Sequence, residues 1–501
     1  MSDLCEEKNV CNIQLMGTSS KRENGNPGVL IAVLCSGGLL ASFMMSLVVP
    51  IFGKLPQYLH TSSENASWVV TATLLAAAIV VPISGRLGDM FGKRRVILFS
   101  IASMIAGSVL CALFDALGPM IIGRALQGAA AGVIPVGISL LRDELPPHRM
   151  PGAIATMSAT LGVGGAIGMP VAAYIPQHFQ WQMLFWVCGA LAVIVFVAVL
   201  ALVAESPHRT PGSFDAIGTV LMTIGLVGAL LAVSKGKSWG WTSTTTLGLA
   251  IGGILVLLSW GAYELHGAKT PLVNLRLAGQ RKVLLTNIAS IFTGFSLMGL
   301  QLAASPLMQT PHVPGVLDFG MGQSMLMTGW WLVPGGLTMM MMSPVSSRLV
   351  ERFGPRYTLM LGCSVIATGY LCALVLIHAP WQLMIAAIIT FGGVGIAYSA
   401  MPALIMGAVP VSEMGSANGF NSLMRSIGTS SASALMATVL GSSVVHAFGQ
   451  DIPDLTAYRL VFILGFAAAA VAVAVAVAIP RDGHRSTNVA SAAEPVAVGA
   501  D

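Results

Sequence analysis

Apolar residues occupy this chain in stretches of about 20, each closed by a short polar or basic segment. A helix needs about 20 apolar residues to cross the hydrocarbon core of a bilayer. Runs of that kind at about 30–51, 67–84, 96–114, 118–140, 152–174, 183–204, 216–234, 246–263, 283–305, 324–345, 357–377, 382–405, 420–445 and 460–479 predict fourteen transmembrane helices. The thirteenth is the most polar, with Asn421, Arg425 and many serines. The longest connections, 264–282 and 306–323, are too short for an extramembrane enzyme domain. Residues 1–29 are polar and read as a cytoplasmic tail rather than a signal peptide; 481–501, rich in Ala, Ser and Val, reads as a disordered cytoplasmic tail.

Charge adds orientation. With the first tail inside, the cytoplasmic segments hold 19 Lys and Arg and the outer segments hold four, Lys54, Lys235, Lys237 and Arg459. The remaining two, Arg124 and Arg425, fall within spans. This positive-inside split predicts both termini on the cytoplasmic side of a plasma membrane. Charged residues make up 9% of the 501, against about 25% in a soluble domain, so a water-soluble fold is excluded. The net charge of +5 then reflects topology and not nucleic-acid affinity. The seven cysteines and nine histidines show no ligand spacing, so no metal and no cofactor are expected. There is no phosphate-binding loop, zinc-protease helix or nucleophile elbow, and no enzymatic activity is expected.

The chain also repeats itself. Gly85-Arg86-Leu87-Gly88-Asp89-Met90-Phe91-Gly92-Lys93-Arg94 aligns without gaps on Ser347-Arg348-Leu349-Val350-Glu351-Arg352-Phe353-Gly354-Pro355-Arg356. Nearly the same offset places Gly152 on Gly415 and Gly165 on Gly428. Spans 2–5 thus correspond to spans 10–13. Two six-helix bundles, 30–204 and 283–480, follow, with an inserted helix pair in 205–282. Parallel repeats of this type mark transporters whose halves rock around a central site.

Three motifs bear on mechanism. In the segment Gly85 to Arg95, Gly85 and Gly92 permit close helix approach and a sharp turn, and Asp89 can cap a helix N-terminus or pair with a cation. With Lys93 and Arg94 these residues form a candidate inner gate, and Arg348, Glu351, Gly354 and Arg356 its repeat. Arg124 lies in hydrocarbon, where a cation costs at least about 2.5–3.5 kcal/mol, so it needs a cavity or a partner. It stands three residues before Gln127. The alternative is an arginine that snorkels or binds backbone carbonyls. Span 5 carries Gly162, Gly164, Gly165, Gly168 and Pro170, which suit close packing and a bend.

Together these segments resemble the major facilitator superfamily. The first is similar to its cytoplasmic signature, Arg124 with Gln127 and Gly128 to its fourth-helix motif, and Gly164, Gly168 and Pro170 to the antiporter motif. That last match lacks the adjacent Gly-Pro, because Met169 intervenes. Within the superfamily, Trp181, Phe185, Phe214-Asp215, Gly218, Trp239-Gly240-Trp241, Pro271-Leu272 and Gly415 to Asn421 with Arg425 resemble the fourteen-helix drug:proton antiporter branch, the EmrB/QacA drug-resistance family. The resemblance implies an all-α membrane protein with the major facilitator fold. It further implies export of apolar or cationic small molecules by proton antiport, with Arg124 and Gln127 in coupling. Small-molecule substrates, protons and the lipid bilayer would be its partners, and a monomer its working state. Rival readings are a dedicated exporter of one metabolite or anionic natural product, a uniporter, and a non-transporting scaffold.

Many members of that branch carry an aspartate in the first helix. Here the stretch is Ser42-Phe-Met44-Met45-Ser46, with no acid. None of the 20 Asp and Glu falls within a predicted span. Proton coupling needs a group that titrates, which Arg cannot do, so the candidates are acids at the mouths: Asp115, Asp318, Asp89 and Glu413. Met44 and Met45, flexible and polarisable, together with Asn421 and Arg425, are the expected cavity lining.

Overall fold

The structure is a computed structural model and describes residues 26–48, 51–146, 149–206, 213–268, 270–313, 317, 319–410, 413–447 and 450–481. Most of both predicted tails, and Asp318, lie outside these residues. Helix starts follow local chemistry. Asn26 caps the first helix through Gly28 N, with Pro27 at its first position. Asp215, Ser243, Ser324 and Asp454 cap four later ones in the same way.

The chain forms α1 (Pro27–Ser46), α2 (Trp68–Phe91), α3 (Lys93–Leu113), α4 (Leu117–Glu144), α5 (Met150–His178), α6 (Met183–Leu202), α7 (Ala216–Trp239), α8 (Thr244–His266) and α9 (Arg281–Gln309). It continues with α10 (Met325–Met341), α11 (Ser343–Phe353), α12 (Pro355–Val375), α13 (Pro380–Met406), α14 (Met414–Leu440), a hairpin of β1 (Val444–Ala447) and β2 (Gln450–Pro453), and α15 (Leu455–Ala478). A 3-10 turn at Ala129–Gly132 interrupts α4. Among the described residues, twelve helices are long and apolar enough to cross a membrane. The predicted spans 324–345 and 420–445 fall on helices outside that set: α10 has only 17 residues and α14 is rich in Ser and Asn. Span 10 also breaks at Met342, beyond which α11 runs on as a separate helix. The hairpin, with Val444 opposite Pro453, was not foreseen in the connection before the last span.

Two apolar cores form. One is built from residues of α1–α6, around Leu34, Ile101, Leu140 and Phe185. The other is built mainly from α9–α15, around Leu300, Tyr370, Tyr398 and Phe462, with Met169 of α5 at its edge. Helices α7 and α8 pair with each other, and α7 packs on α2 and α14, one from each core. A smaller cluster of Met222, Leu226, Leu230 and Trp260 with Ala78 and Leu423 seals this junction.

The repeat has a structural counterpart. Gly92 and Gly354 both adopt positive φ, 110° and 84°, which turns the chain sharply into α3 and α12. Two residues on, Arg94 Nη2 donates to Leu200 O (2.5 Å) and Arg356 Nη2 to Val477 O (2.5 Å). Each arginine thus satisfies a free carbonyl at the C-terminus of the last helix in its own bundle.

One expectation is corrected here. The helices extend past the apolar runs, so Asp89 lies in the last turns of α2, Asp143 in those of α4 and Glu264 in those of α8. Asp89 and Glu264 are buried, and only 2% of the Asp143 side chain is exposed. A hydropathy run ends where polar residues begin, but neighbouring helices still cover those residues.

The matched arginine contacts predict matched losses. Arg94→Ala and Arg356→Ala should each destabilise the protein by about 1 kcal/mol, and the two effects should add, because the sites share no partner. Thermal unfolding in detergent measures both.

Candidate functional site

The two bundles touch near the end of the molecule that carries Lys93, Arg94 and Arg95, here the basic end, as they also do where α5 packs on α10. A side chain at Gly85 would collide with the carbonyl of Gly415, so α2 and the start of α14 touch backbone to backbone. One turn further, Asp89 Oδ2 accepts a hydrogen bond from Ser416 N (3.3 Å). A Cβ at Gly415 would lie 2.5 Å from Asp89 Oδ1. Ser416 is the third residue of α14, where backbone N–H groups have no intrahelical acceptor. A carboxylate from one bundle therefore caps a helix N-terminus of the other, where the helix dipole favours negative charge.

Lys93 does not cross to the other bundle. Its Nζ lies 2.5 Å from Asp143 Oδ2 on α4 and 3.9 Å from Asp89 Oδ1. Ser206 Oγ donates to the same Asp143 oxygen. Two acids thus share one buried cation, and the end of α14 supplies the balancing positive pole. Arg94 is likewise turned to its own bundle, and Glu205 Oε1 accepts from Arg94 N (3.1 Å), capping α3. Of the five predicted gate residues, Gly85 and Asp89 meet the opposite bundle. Gly92, Lys93 and Arg94 hold the loop in place. Asp143, Glu205 and Ser416 complete the cluster and were missed: Asp143 and Glu205 stand in no motif, and the segment Gly415 to Asn421 does not by itself show that Ser416 faces Asp89.

The repeat gate is looser. Glu351 and Arg348 are exposed, and among the described residues Glu351 forms no ion pair. Gly152, the counterpart of Gly415, has open space where a side chain would go. Ser347 stands where Gly85 stands in the first half.

Arg124 is buried, with 1% exposed, and among the described residues it forms no ion pair with a carboxylate. Its Nη1 donates to Gln127 Oε1 (2.8 Å), to Met44 O (3.3 Å) and to Met44 Sδ (3.4 Å), and its Nε to Val69 O (3.4 Å). Gln127 Nε2 passes the chain on to Ser108 Oγ (2.9 Å). Met44 lies in the last turn of α1, whose carbonyls lack intrahelical donors. The negative end of α1 therefore faces the cation in place of an acid. Asp115 does not join this set. It is exposed and accepts from Gln182 Nε2 (2.8 Å), because α3 ends two residues earlier and leaves it in the connecting loop.

Helix α5 packs on two sides. Gly164 and Gly168 lie against α1, where added side chains would strike Leu39 O and Ser46 Oγ. Pro170 meets Gly329 of α10, across the bundle boundary. Between the bundles, towards the end remote from Asp89, lies a cavity of about 490 Å³ lined by Met169, Gln301, Ser305, Gln309 and Thr328, with Phe52 and Lys54 among its other walls. That volume suits a small-molecule pocket, roughly 300–1,000 Å³. The expected lining differs. Met44 is fully buried against Arg124, and Met45 is half-buried against the first core. Asn421 Nδ2 donates to Asn287 Oδ1 (2.9 Å) and Ser290 Oγ (2.6 Å) inside the second core. Arg425 lies over the Tyr398 ring at 4.7 Å. None of the four lines the cavity, because each is taken up by its own bundle.

Two helix bundles touching through a capped helix end, with a cavity between them, can be compared with known proteins. The family model of the Major Facilitator Superfamily matches residues 34–433. This chain belongs to the major facilitator superfamily. Over 347 residues it is 26% identical to the tetracenomycin C resistance and export protein of Streptomyces glaucescens, covering 69% of this chain and 63% of that protein. It is 24% identical over 433 residues to the multidrug transporter protein MdtP of Bacillus subtilis, covering 85% and 76%. Among solved structures, the human organic anion transporter MFSD10 superposes with a TM-score of 0.63 at 13% identity, covering 90% of this chain and all of the other. The proton:xylose symporter XylE superposes at 0.62. These likenesses show the fold. Superfamily members are transporters, so the chain is a multi-pass membrane transporter of small molecules.

The clamp gives a direct expectation. Asp89→Asn removes the charge that the α14 N-terminus favours, a change of about 1–2 kcal/mol, and should shift the closed-to-open ratio at the basic end roughly 5- to 30-fold towards open. Spin-label distances between the basic ends of α2 and α14 report this. Glu351→Gln at the loose repeat gate should leave them unchanged.

Proposed function

We propose that this transporter exports apolar small molecules by alternating access, as a member of the fourteen-helix drug:proton antiporter branch. In this reading α10 and α14 also span the bilayer, both termini are cytoplasmic, the membrane is the plasma membrane, and the protein works as a monomer. One observation carries it: the bundles are clamped at the basic end by Asp89 on the N-terminus of α14, while the cavity lies between them towards the other end. That is one half-cycle of a rocking pair, with the site turned away from the basic, cytoplasmic side. Gly85 and Asp89 are the gate, and Gly92, Lys93 and Arg94 its support. Arg124 and Gln127 remain the coupling group. Asp89, buried beside Lys93, replaces Asp115 as the acid that would exchange a proton. Resemblance to proteins named for drug resistance and export supports efflux as the direction.

The cavity lining favours a narrower substrate class than the one expected. Gln301, Ser305, Gln309 and Thr328 offer hydrogen bonds, Lys54 offers a positive charge, and no carboxylate is among the described lining residues. Such a wall suits neutral or anionic aromatic compounds better than cations. This favours the rival reading of a natural-product exporter over a cation-selective pump.

Two measurements test the reading. Purified protein in liposomes should move substrate faster under an imposed pH gradient, and equal rates with and without it would rule out antiport. Cells that overproduce the protein should survive neutral or anionic aromatic antibiotics better than control cells do. Protection against cationic dyes alone would overturn the assignment of substrate class.

A further inference from the structure

The inserted pair α7–α8 carries two buried carboxylates that transport, as proposed above, does not use. Asp215 is 8% exposed and Glu264 is 5% exposed. They converge on one point: a side chain at Gly218 would meet Asp215 Oδ2 and, at 2.9 Å, Glu264 Oε1. Asp215 Oδ1 accepts from Gly218 N (2.8 Å) and from Tyr263 Oη (3.2 Å). Glu264 Oε1 accepts from Trp260 Nε1 (3.1 Å) and Leu272 N (3.3 Å). The other oxygen of each, Asp215 Oδ2 and Glu264 Oε2, is buried with no hydrogen-bond partner.

No described Lys, Arg or His forms an ion pair with either acid. Arg276, on the short turn that follows, donates to Leu265 O (3.0 Å) instead. His266 is exposed and bonded to Ala262 O. Among the described residues of the pair's own helices, Tyr263 is the other titratable group that contacts it, and it donates. The packed helices α2 and α14 present Ala78 and Leu423 to the surrounding cluster. Two buried carboxylates without a cation strongly disfavour double ionisation, and an orphaned buried oxygen costs about 1–3 kcal/mol. One proton between them removes the repulsion and gives a donor for an orphaned oxygen.

We propose that Asp215 and Glu264 form a proton-binding site in the inserted helix pair and that its occupancy controls the clamp at the basic end. The link is covalent and hydrogen-bonded throughout. Glu264 holds Leu272 N, and two residues on Asn274 Nδ2 donates to Glu413 Oε1 (3.1 Å). Glu413 immediately precedes α14, and its carbonyl accepts from Ser416 Oγ (3.0 Å), the residue whose N–H Asp89 holds. With the proton bound, segment 272–274 stays seated and the clamp stays shut. When it leaves, two like charges push the start of α7 from the end of α8, and the displacement passes through Asn274 to the first turn of α14. The site acts on the gate whether or not the transport cycle itself moves protons.

Infrared spectroscopy of the full-length protein in lipid nanodiscs tests this with the proton as the only ligand. A protonated-carboxyl band is expected at neutral pH, lost in Glu264→Gln and lost or moved to lower pH in Asp215→Asn. Glutamine keeps an acceptor for Trp260 and Leu272, and asparagine keeps the helix cap, so the two variants check one another. A band unchanged in both variants, or no band in the unsubstituted protein, would overturn the site. In parallel, spin-label distances across the basic end should shift from about pH 6 to about pH 9 by roughly tenfold more in open-to-closed ratio than in Glu264→Gln, as one pH unit of linkage implies. An equal shift in both proteins would sever the site from the gate.

Discussion

The contact between Asp89 and the first turn of α14 is the constraint that fixes how the two bundles meet at the basic end. It requires glycine on both sides, because any side chain at Gly85 or Gly415 would occupy the place of a backbone carbonyl or of the carboxylate. Close approach then sets a negative charge on unpaired N–H groups in a region with little water, where such a contact is strong. In the alternating-access cycle proposed above, parting of the bundles would leave Asp89 beside Lys93 and open the end of α14 to water, so both states would be satisfied.

The same use of helix ends recurs elsewhere. Arg124 sits in the interior, pairs with no acid among the described residues, and is held by the free carbonyl of Met44, at the negative end of α1. Arg94 and Arg356 each close the C-terminus of the last helix in their bundle. A protein with few charges can economise on carboxylates because every helix terminus already carries partial charge. The repeat nevertheless breaks symmetry at the gate. Ser347 replaces Gly85, Gly152 faces open space, and among the described residues the second gate has no carboxylate clamp, only a hydroxyl contact of Thr156 with Ser343.

The inserted pair bridges the bundles. Its apolar cluster touches α2 and α14, which form the clamp, and Lys235 lies over Trp68 at 4.5 Å, pinning the far end of α7 to α2. The carboxylates at the other end of the pair are thus placed beside the moving junction. Their hydrogen-bonded path to Glu413 ties a local charge event to a boundary between domains.

What the sequence determined by itself is what one segment settles alone. Helix placement followed from runs of apolar residues, because crossing hydrocarbon is a matter of length. The matched segments pointed to a two-bundle repeat, and the turn at Gly92 was legible in its need for positive φ. Resemblance pointed to the superfamily to which the chain belongs. Tertiary structure alone decided which charges are buried and what they meet. Asp89 and Ser416 are 327 positions apart, and Lys93 and Asp143 are 50 apart. Asp143, Asp215 and Glu264 read as loop acids until neighbouring helices covered them, while Asp115, equally placed by hydropathy, stayed in water. Met44 was expected in a cavity and serves Arg124. Burial and pairing depend on distant helices, whose mutual positions no local pattern encodes.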